Sequence, residues 1–391
     1  MVGESQRSDG SYMYRYTDAK TGKRLTVYAP DLAELRLKEK QVTKDVDDDI
    51  VTDQAVRKMT VNTLFDRYME SRKLAESTRV NYLNMWNLRV RDDIGMMKVV
   101  QVKPSHVKLF YAKLDKDGLS RNTIKYLNNL LYPSFEMAVD DDIIRKNPCK
   151  DALGDNGEPP KEVEAYSPDQ QEKLFRFVEQ HKVYNTYMAL LGIMIGTGVR
   201  CGELIGLTWS DIDLRNRRIS INHQLIYKDY GDGYKFHIST PKTDAGIREL
   251  PMTNRVYEAV ESLRKRNFML GLPGSYEIEG YTGFIFVTKN DRPMMPSAVN
   301  NVLYNIINAY NKTEQQNAIK EKRQAEYLPK ISAHALRHTG CTRMAEQGID
   351  IKVLQYIMGH AHVDVTMNVY NHITDRARIE TEITKLNAAV V

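Results

Sequence analysis

Tyr12, Tyr14 and Tyr16 share one parity, residues 18–22 (Asp-Ala-Lys-Thr-Gly) carry a turn signal, and Leu25 and Val27 continue on the return. Tyrosine and β-branched residues alternating around such a turn predict a β-hairpin. Asp31 stands where an N-cap is wanted, ahead of Leu32, Leu35 and Val42 in a helical pattern. The acidic run 45–49 reads as a solvated linker. From 59 to 152 the apolar positions take helical intervals: Val61, Leu64, Phe65 and Tyr68, then Tyr82, Met85 and Trp86. Val107, Phe110, Tyr111 and Leu114 follow, then Ile124, Leu127, Leu131, Phe135 and Val139. Ser77, Ser105 and Ser120 are the expected N-caps of these helices. Gly157 and the pair Pro159-Pro160 make 154–160 a linker by its breakers.

The stretch from residue 166 opens with helices, including the apolar run 187–195. Three strands are predicted at 218–227, 234–240 and 247–252, and helices resume from Pro296. Residues 312–330 are highly charged and fit either a helical extension or a loose insertion. The final residues, 378–391, predict an amphipathic helix with Ile379, Ile383 and Leu386 on one side, suited to packing on its own domain or on a neighbour. The expected fold class is mainly α with small β elements: a small N-terminal sheet plus helix (1–50), a helical bundle (58–153) and a mixed α/β domain (161–391).

Composition narrows the class. A chain of 391 residues suggests two to four domains. Hydrophobic residues at 42% and charged residues at 27% exclude collagen-like, low-complexity and wholly disordered readings. The longest apolar stretch falls far short of the ~20 residues of a membrane helix, and no basic-then-apolar leader opens the chain. Three scattered cysteines without a CxxC pair disfavour a disulfide framework and a zinc ribbon. A soluble intracellular protein with no membrane partner is the expectation. The net charge of +5 is only a mild hint of a polyanionic partner, because it need not gather on one face. The candidates for DNA contact are Arg15, Lys23 and Arg24 on the hairpin and Arg79, Arg121 and Lys125 on the helices. Ordinary solvated faces account for the same residues equally well.

Three stretches carry chemistry. In Gly196-Thr-Gly-Val-Arg200, two glycines break the apolar helix and an arginine opens the next, well placed to grip an oxyanion. Glu203 lies one turn on, on the same face, and can hold the guanidinium. His334, Arg337 and His338 share a face at i, i+3 and i+4. Further on, Gly359 ends a helix, His360 follows, and Tyr370 comes after Thr366. Five of the nine histidines fall between His334 and His372, which invites a metal reading. However, the pair His334/His338 lacks the glutamate of a zincin helix, and an arginine among the ligands would repel a cation.

Taken together, the chain resembles the tyrosine recombinases, the integrases and resolvases that cut and rejoin DNA. Gly196 to Arg200 with Glu203 is similar to the family's first arginine box, and His334-Ala-Leu-Arg337-His338 to its second. Met358-Gly-His360 through Tyr370 is similar to its histidine-then-nucleophile box, with an interval one residue longer than in many relatives. The layout is closest to integrases of conjugative transposons: residues 12–46 resemble their arm-binding domain, and the helices before Gly154 their core-binding domain.

The resemblance implies strand transfer through a 3′-phosphotyrosine at Tyr370, with a four-way junction intermediate. Arg200 and Arg337 would clamp the scissile phosphate. His334 and His360 would hydrogen-bond phosphate oxygens or help deprotonate the tyrosine. Lys242, between the second and third strands, matches the family's hairpin lysine and would be the general acid. No cofactor, metal or ATP is implied. The implied partners are double-stranded DNA at core and arm-type sites, a homotetramer on that DNA, and an excisionase or host DNA-bending protein as accessory factor. A type IB topoisomerase shares this chemistry and is set apart by the joining of separate duplexes. A non-catalytic regulator has no use for Arg200, Lys242, Arg337 and Tyr370 together, and a metallonuclease would stop in EDTA.

Overall fold

The computed structural model describes residues 4–17, 22, 24–47, 58–159, 165–241 and 244–371, with the side chains of 45–47, 368, 370 and 371 outside that description. Contacts divide the chain into two compact units, Met1–Lys161 and Glu162–Val391.

The first unit begins with an antiparallel sheet in the order β1 (Glu4–Gln6), β2 (Tyr12–Thr17), β3 (Arg24–Ala29), followed by α1 (Leu32–Asp47). Asp31 caps α1, its carboxylate accepting from the Glu34 amide at 2.8 Å. Ala29, Leu35 and Val42 are buried between sheet and helix. The pairings Tyr14 with Val27 and Tyr16 with Leu25 set one face of the sheet. Arg15 opposite Thr26, and Thr17 opposite Arg24, set the other. Strand β1 was not expected, because Glu-Ser-Gln has no apolar alternation to announce it.

The helices that follow are α2 (Val61–Ser71), α3 (Glu76–Arg89), α4 (Pro104–Lys116) and α5 (Arg121–Asp140). They close on a core of Leu64, Phe65, Trp86, Tyr111, Ile124, Leu127, Leu131 and Phe135. Phe65 and Trp86 stack face to face at 3.7 Å, and the indole N–H of Trp86 donates to Asn62 at 2.9 Å, so its one polar atom is satisfied in the core. Ser120 caps α5 as expected. Ser77 and Ser105 do not cap their helices. The α3 cap is Ala75, which puts Ser77 inside the first turn. Pro104, with φ already set for a first helical position, starts α4 one residue before Ser105. Residues up to 159 of the expected linker are docked: the Arg121 amide donates to the Glu158 carbonyl at 2.9 Å, and the Arg121 guanidinium donates to Asp155.

The second unit is built on α7 (Met188–Thr197), preceded by α6 (Pro168–Gln180). Helix α7 is apolar all round and buried almost throughout, the signature of a central helix rather than a surface one. The short α8 (Cys201–Gly206) leads into two small sheets. One has the order β4 (Ile212–Asp213), β5 (Arg218–Ile221), β8 (Arg248–Pro251); the other is the hairpin β6 (Gln224–Asp229) with β7 (Tyr234–Ser239). The single strand expected at 218–227 is therefore two. Asn222 donates to Asp211 at 3.1 Å and the buried His223 ring bonds the Gly206 carbonyl at 2.7 Å, which turns the chain from one sheet to the next.

Among the described residues the helices that follow are α9 (Asn254–Met269), α10 (Pro296–Glu321), α11 (Ala333–Glu346), α12 (Ile351–Met358) and α13 (Val363–Asn371). The charged segment is helical to Glu321 and then irregular. Asn311 donates to the Leu328 carbonyl at 3.0 Å and accepts the Leu328 amide at 2.8 Å, pinning the irregular part to α10. Among the described residues no helix is long and apolar enough to cross a membrane. The expected terminal helix with Ile379, Ile383 and Leu386 lies outside the described residues.

Candidate active site

Two helices end on glycines in the left-handed region, Gly198 (φ 63°) after α7 and Gly359 (φ 60°) after α12. A left-handed cap bares the last carbonyls of a helix, where the macrodipole is negative. Those carbonyls are what Arg337 and Arg200 bind. Arg337, from α11, donates to the Gly198 carbonyl at 2.6 Å and the Met358 carbonyl at 2.5 Å. Arg200 donates to the Gly359 carbonyl at 2.8 Å. The first arginine box, the second, and the turn before His360 thus meet at one place, although Arg200 and Gly359 are 159 positions apart.

Glu203 anchors the cluster. Arg200 is the N-cap of α8; its amide donates to Glu203 at 2.8 Å and its guanidinium at 2.7 Å. The expected pairing of Glu203 with Arg200 is present, but a second cation shares the carboxylate. Arg248, from β8, donates to Glu203 at 2.9 and 3.3 Å, to the Gly246 carbonyl at 2.9 Å and to the Ile357 carbonyl at 2.7 Å. Its side chain is fully buried, whereas that of Arg200 is 40% exposed. Burial would push the Glu203 carboxyl up, but the Arg248 guanidinium, with Arg200 behind it, brings it down to about 2. Three guanidinium groups and one carboxylate leave an excess of two positive charges.

His360 completes the cluster. Its Nε2 faces the Arg337 guanidinium at 3.0 Å and its Nδ1 faces the Thr366 hydroxyl at 2.9 Å. An arginine has no lone pair, so Nε2 accepts and the ring proton sits on Nδ1, donated to Thr366. Burial, then Arg337, Arg200 and Arg248 in that order, hold the imidazole down at about 4. It is neutral at pH 7. Burial and the neighbouring Arg200 also lower Arg337, to about 9, which leaves it protonated at neutral pH. Arg337 is only 4% exposed.

Not every expected residue joins them. His334 is exposed on the first turn of α11. Tyr370 belongs by its backbone to α13, four positions after Thr366, but its side chain is outside the described residues. Lys242 and Lys23 are outside them altogether. In the first unit Arg15, Arg24, Arg79 and Lys125 are exposed, while Arg121 is engaged by Asp155. Sequence reasoning missed Arg248 and Thr366. The signal for Arg248 was its parity with Leu250: the two alternate inward along β8, so a charge had to be buried there. Thr366 had no such signal.

The arrangement suits an anion with several oxygens. Comparison with known proteins gives the matching identity. Residues 165–377 match the model of the phage integrase family, and residues 1–46 match that of the DNA binding domain of Tn916 integrase. The transposase from transposon Tn916 of Enterococcus faecalis is 33% identical over 95% of this chain and 91% of its own length. The chain belongs to the phage integrase family of tyrosine recombinases.

Within that family the enzyme is of the conjugative-transposon type, a site-specific recombinase. A tyrosine recombinase of the XerC-like kind from Caldanaerobacter subterraneus is 28% identical over 81% of the integrase described here and 78% of its own length. Among solved structures, a Tn1549 transposon integrase in complex with a circular intermediate DNA superposes with a TM-score of 0.72 at 32% identity, covering 84% of this chain and 99% of that one. A lambda integrase tetramer bound to a Holliday junction, at 16% identity and a TM-score of 0.54 over 94% of each chain, shares the fold.

Proposed function

We propose that this recombinase cuts and rejoins double-stranded DNA at the ends of its mobile element, with Tyr370 as nucleophile and Arg200 and Arg337 as the clamp on the scissile phosphate. The observation that carries the reading is the convergence of Arg200, Arg337 and His360 on the capped ends of α7 and α12, with an uncompensated positive charge. A phosphodiester passing through a pentacoordinate state gathers negative charge on its non-bridging oxygens, and preorganised guanidinium groups stabilise that charge. The phenol oxygen of Tyr370 attacks phosphorus, the bond to the 5′-oxygen breaks, and that oxygen takes a proton from Lys242. The product is a 3′-phosphotyrosyl bond and a free 5′-hydroxyl. Attack by the 5′-hydroxyl of a partner strand reverses the step, so the bond energy is retained without ATP.

The phenol has a reference pKa near 10 and needs a base. His360 is neutral at pH 7, and its Nε2 lone pair, which accepts from Arg337, is freed for the phenol when that guanidinium turns to the phosphate. The phosphate would also raise the basicity of the ring by offsetting the arginines' charge. Its bond to Thr366 ties it to α13, and Tyr370 follows Thr366 by one helical turn, on that side of the helix backbone. His334, exposed beside it, is assigned to a phosphate oxygen. The charge a divalent metal would supply is already present in the arginines.

The three-part division at 1–50, 58–153 and 161–391 belongs to the same proposal. Arg15 and Arg24 on one exposed face of the N-terminal sheet suit arm-type DNA sites. Arg79 and Lys125 suit core-site phosphates. Phosphate contact by Arg121 competes with its ion pair to Asp155. Two DNA sites, a homotetramer, a four-way junction intermediate and an accessory excisionase or DNA-bending protein complete the proposal, set in the cytoplasm at the nucleoid. The test is incubation with a nicked duplex carrying the joined element ends, in EDTA, with mapping of the residue left on the DNA. Wild-type enzyme is expected to form an adduct at Tyr370, and Tyr370→Phe to bind the duplex without one. An adduct on Tyr370→Phe, or loss of the wild-type adduct in EDTA, overturns the mechanism.

A further inference from the structure

The buried Arg248 is not part of any of the three motifs, yet its guanidinium joins the first of them to the turn that leads into the third. It reaches the Glu203 carboxylate of the first arginine box, the Gly246 carbonyl at the start of β8, and the Ile357 carbonyl just before the Gly359 cap. A buried ion pair is often neutral for stability against well-packed apolar residues, so stability alone is a poor reason to keep an arginine here. The charge balance supplies a better one. Glu203 carries one negative charge and has two suitors, Arg200 and Arg248. Arg248 is fully enclosed and has no other anion within reach among the described residues, while Arg200 is 40% exposed.

We propose that Arg248 is a positioning residue that neutralises the Glu203 carboxylate and thereby leaves the charge of Arg200 available to substrate phosphate. This rests on the reading that the arginine cluster receives the scissile phosphate. Without Arg248 the whole Glu203 charge falls on Arg200, 2.7 Å away, and the cluster's excess drops from two positive charges to one. Removing the Glu203 charge as well returns the excess to two. A purely structural Arg248 predicts the opposite order: both R248M and the double variant R248M/E203Q orphan the Gly246 and Ile357 carbonyls, and the double variant also loses a carboxylate that holds α8.

The experiment compares wild type, R248M, E203Q, R248M/E203Q, R248K and R248K/E203Q as full chains, with two readouts. The first is the single-turnover rate of adduct formation on the nicked duplex. R248M is expected to slow it about 100-fold, the scale of one lost transition-state charge contact. R248M/E203Q is expected to recover about tenfold of that, a positive coupling in a double-mutant cycle. R248K, which keeps the charge, is expected to stay faster than R248M and to gain nothing from E203Q. The second readout uses inorganic phosphate, whose binding raises the thermal midpoint of the folded protein. The rise is expected to be largest in wild type, smaller in R248M and restored in R248M/E203Q.

Equal rates and equal phosphate shifts for R248M and R248M/E203Q overturn the proposal, as does an R248M enzyme within about threefold of wild type. If R248M does not fold, acceleration of R248K by E203Q overturns it in the same way. The phosphate readout involves no DNA and no tyrosine. Absence of a wild-type adduct alongside the expected order of phosphate shifts would therefore count against the recombination mechanism and not against Arg248.

Discussion

Burial and three guanidinium groups hold the His360 imidazole at about 4, against 6.5 for the free side chain. In the unfolded chain the ring takes up a proton as pH falls through 6.5; in the fold it does so only near 4. The unfolded state therefore binds more protons between those values, and this contribution to stability, complete above 6.5, is lost on acidification toward 4. Glu203 acts lower on the scale: held at about 2 against 4.5, its contribution is complete above 4.5 and lost toward 2. The two windows scarcely overlap, which makes them separable. Protection of the α11 and α12 amides against hydrogen exchange is expected to weaken by about 1–2 kcal/mol between pH 7 and 5, after allowing for solvent screening of the half-buried ring. His360→Gln is expected to flatten most of that slope, and a slope unchanged by the substitution assigns it to another group. The histidine itself was legible from its place after Gly359. Its tautomer was not, because that depends on Arg337 and Thr366 arriving from elsewhere in the fold.

Helix ends do much of the work of bringing the motifs together. A Cβ on Gly359 would sit 2.9 Å from the Arg248 Nη1 and 3.0 Å from the Ala245 carbonyl oxygen, in a backbone conformation that L side chains rarely adopt. Gly348, after α11, has the same left-handed backbone (φ 77°) with nothing within 4 Å of a Cβ. Both Gly359→Ala and Gly348→Ala should therefore lose about 1–2 kcal/mol to backbone strain. Only Gly359→Ala should also displace the Arg248 guanidinium and slow cleavage, by at least about tenfold if one transition-state contact is weakened. Comparable cleavage by the two variants would mean that the cap acts through stability alone. Element boundaries show the same division between near and far causes. Ser120 was readable as a cap because its bond to Thr123 is local. The break at Asn222-His223 was not, because it is made by Asp211 and Gly206, which the strand pattern does not contain.

The net charge of +5 says little about where charge is concentrated. The second unit gathers three arginines against one glutamate at a single place, whereas the exposed basic residues of the first unit are spread over a sheet and two helices. Truncation at Arg378 removes the amphipathic segment with Ile379, Ile383 and Leu386. If that segment is exchanged between protomers, the shortened protein should lose higher-order complexes on DNA while its single-site affinity stays within about threefold, since phosphate contacts carry most of that affinity. Gel-shift titration with sedimentation of the complexes reads both quantities. Undiminished assembly would count against the exchange.

Periodicity, caps and breakers made the succession of hairpin, helical bundle and mixed domain readable from the chain, because each arises from residues a few positions apart. The order and composition of the three motifs carried the chemistry for the same reason: the residues within each box are neighbours on one turn or one helix. Arg248 as the second holder of Glu203, the glycine-capped carbonyls as arginine acceptors, and Thr366 as the anchor of His360 became visible only in the folded chain. These are contacts across long separations, 159 positions between Arg200 and Gly359 and 139 between Arg337 and Gly198. No local pattern encodes such a distance. It is set by how α7, α11 and α12 pack, and packing is a property of the assembled core.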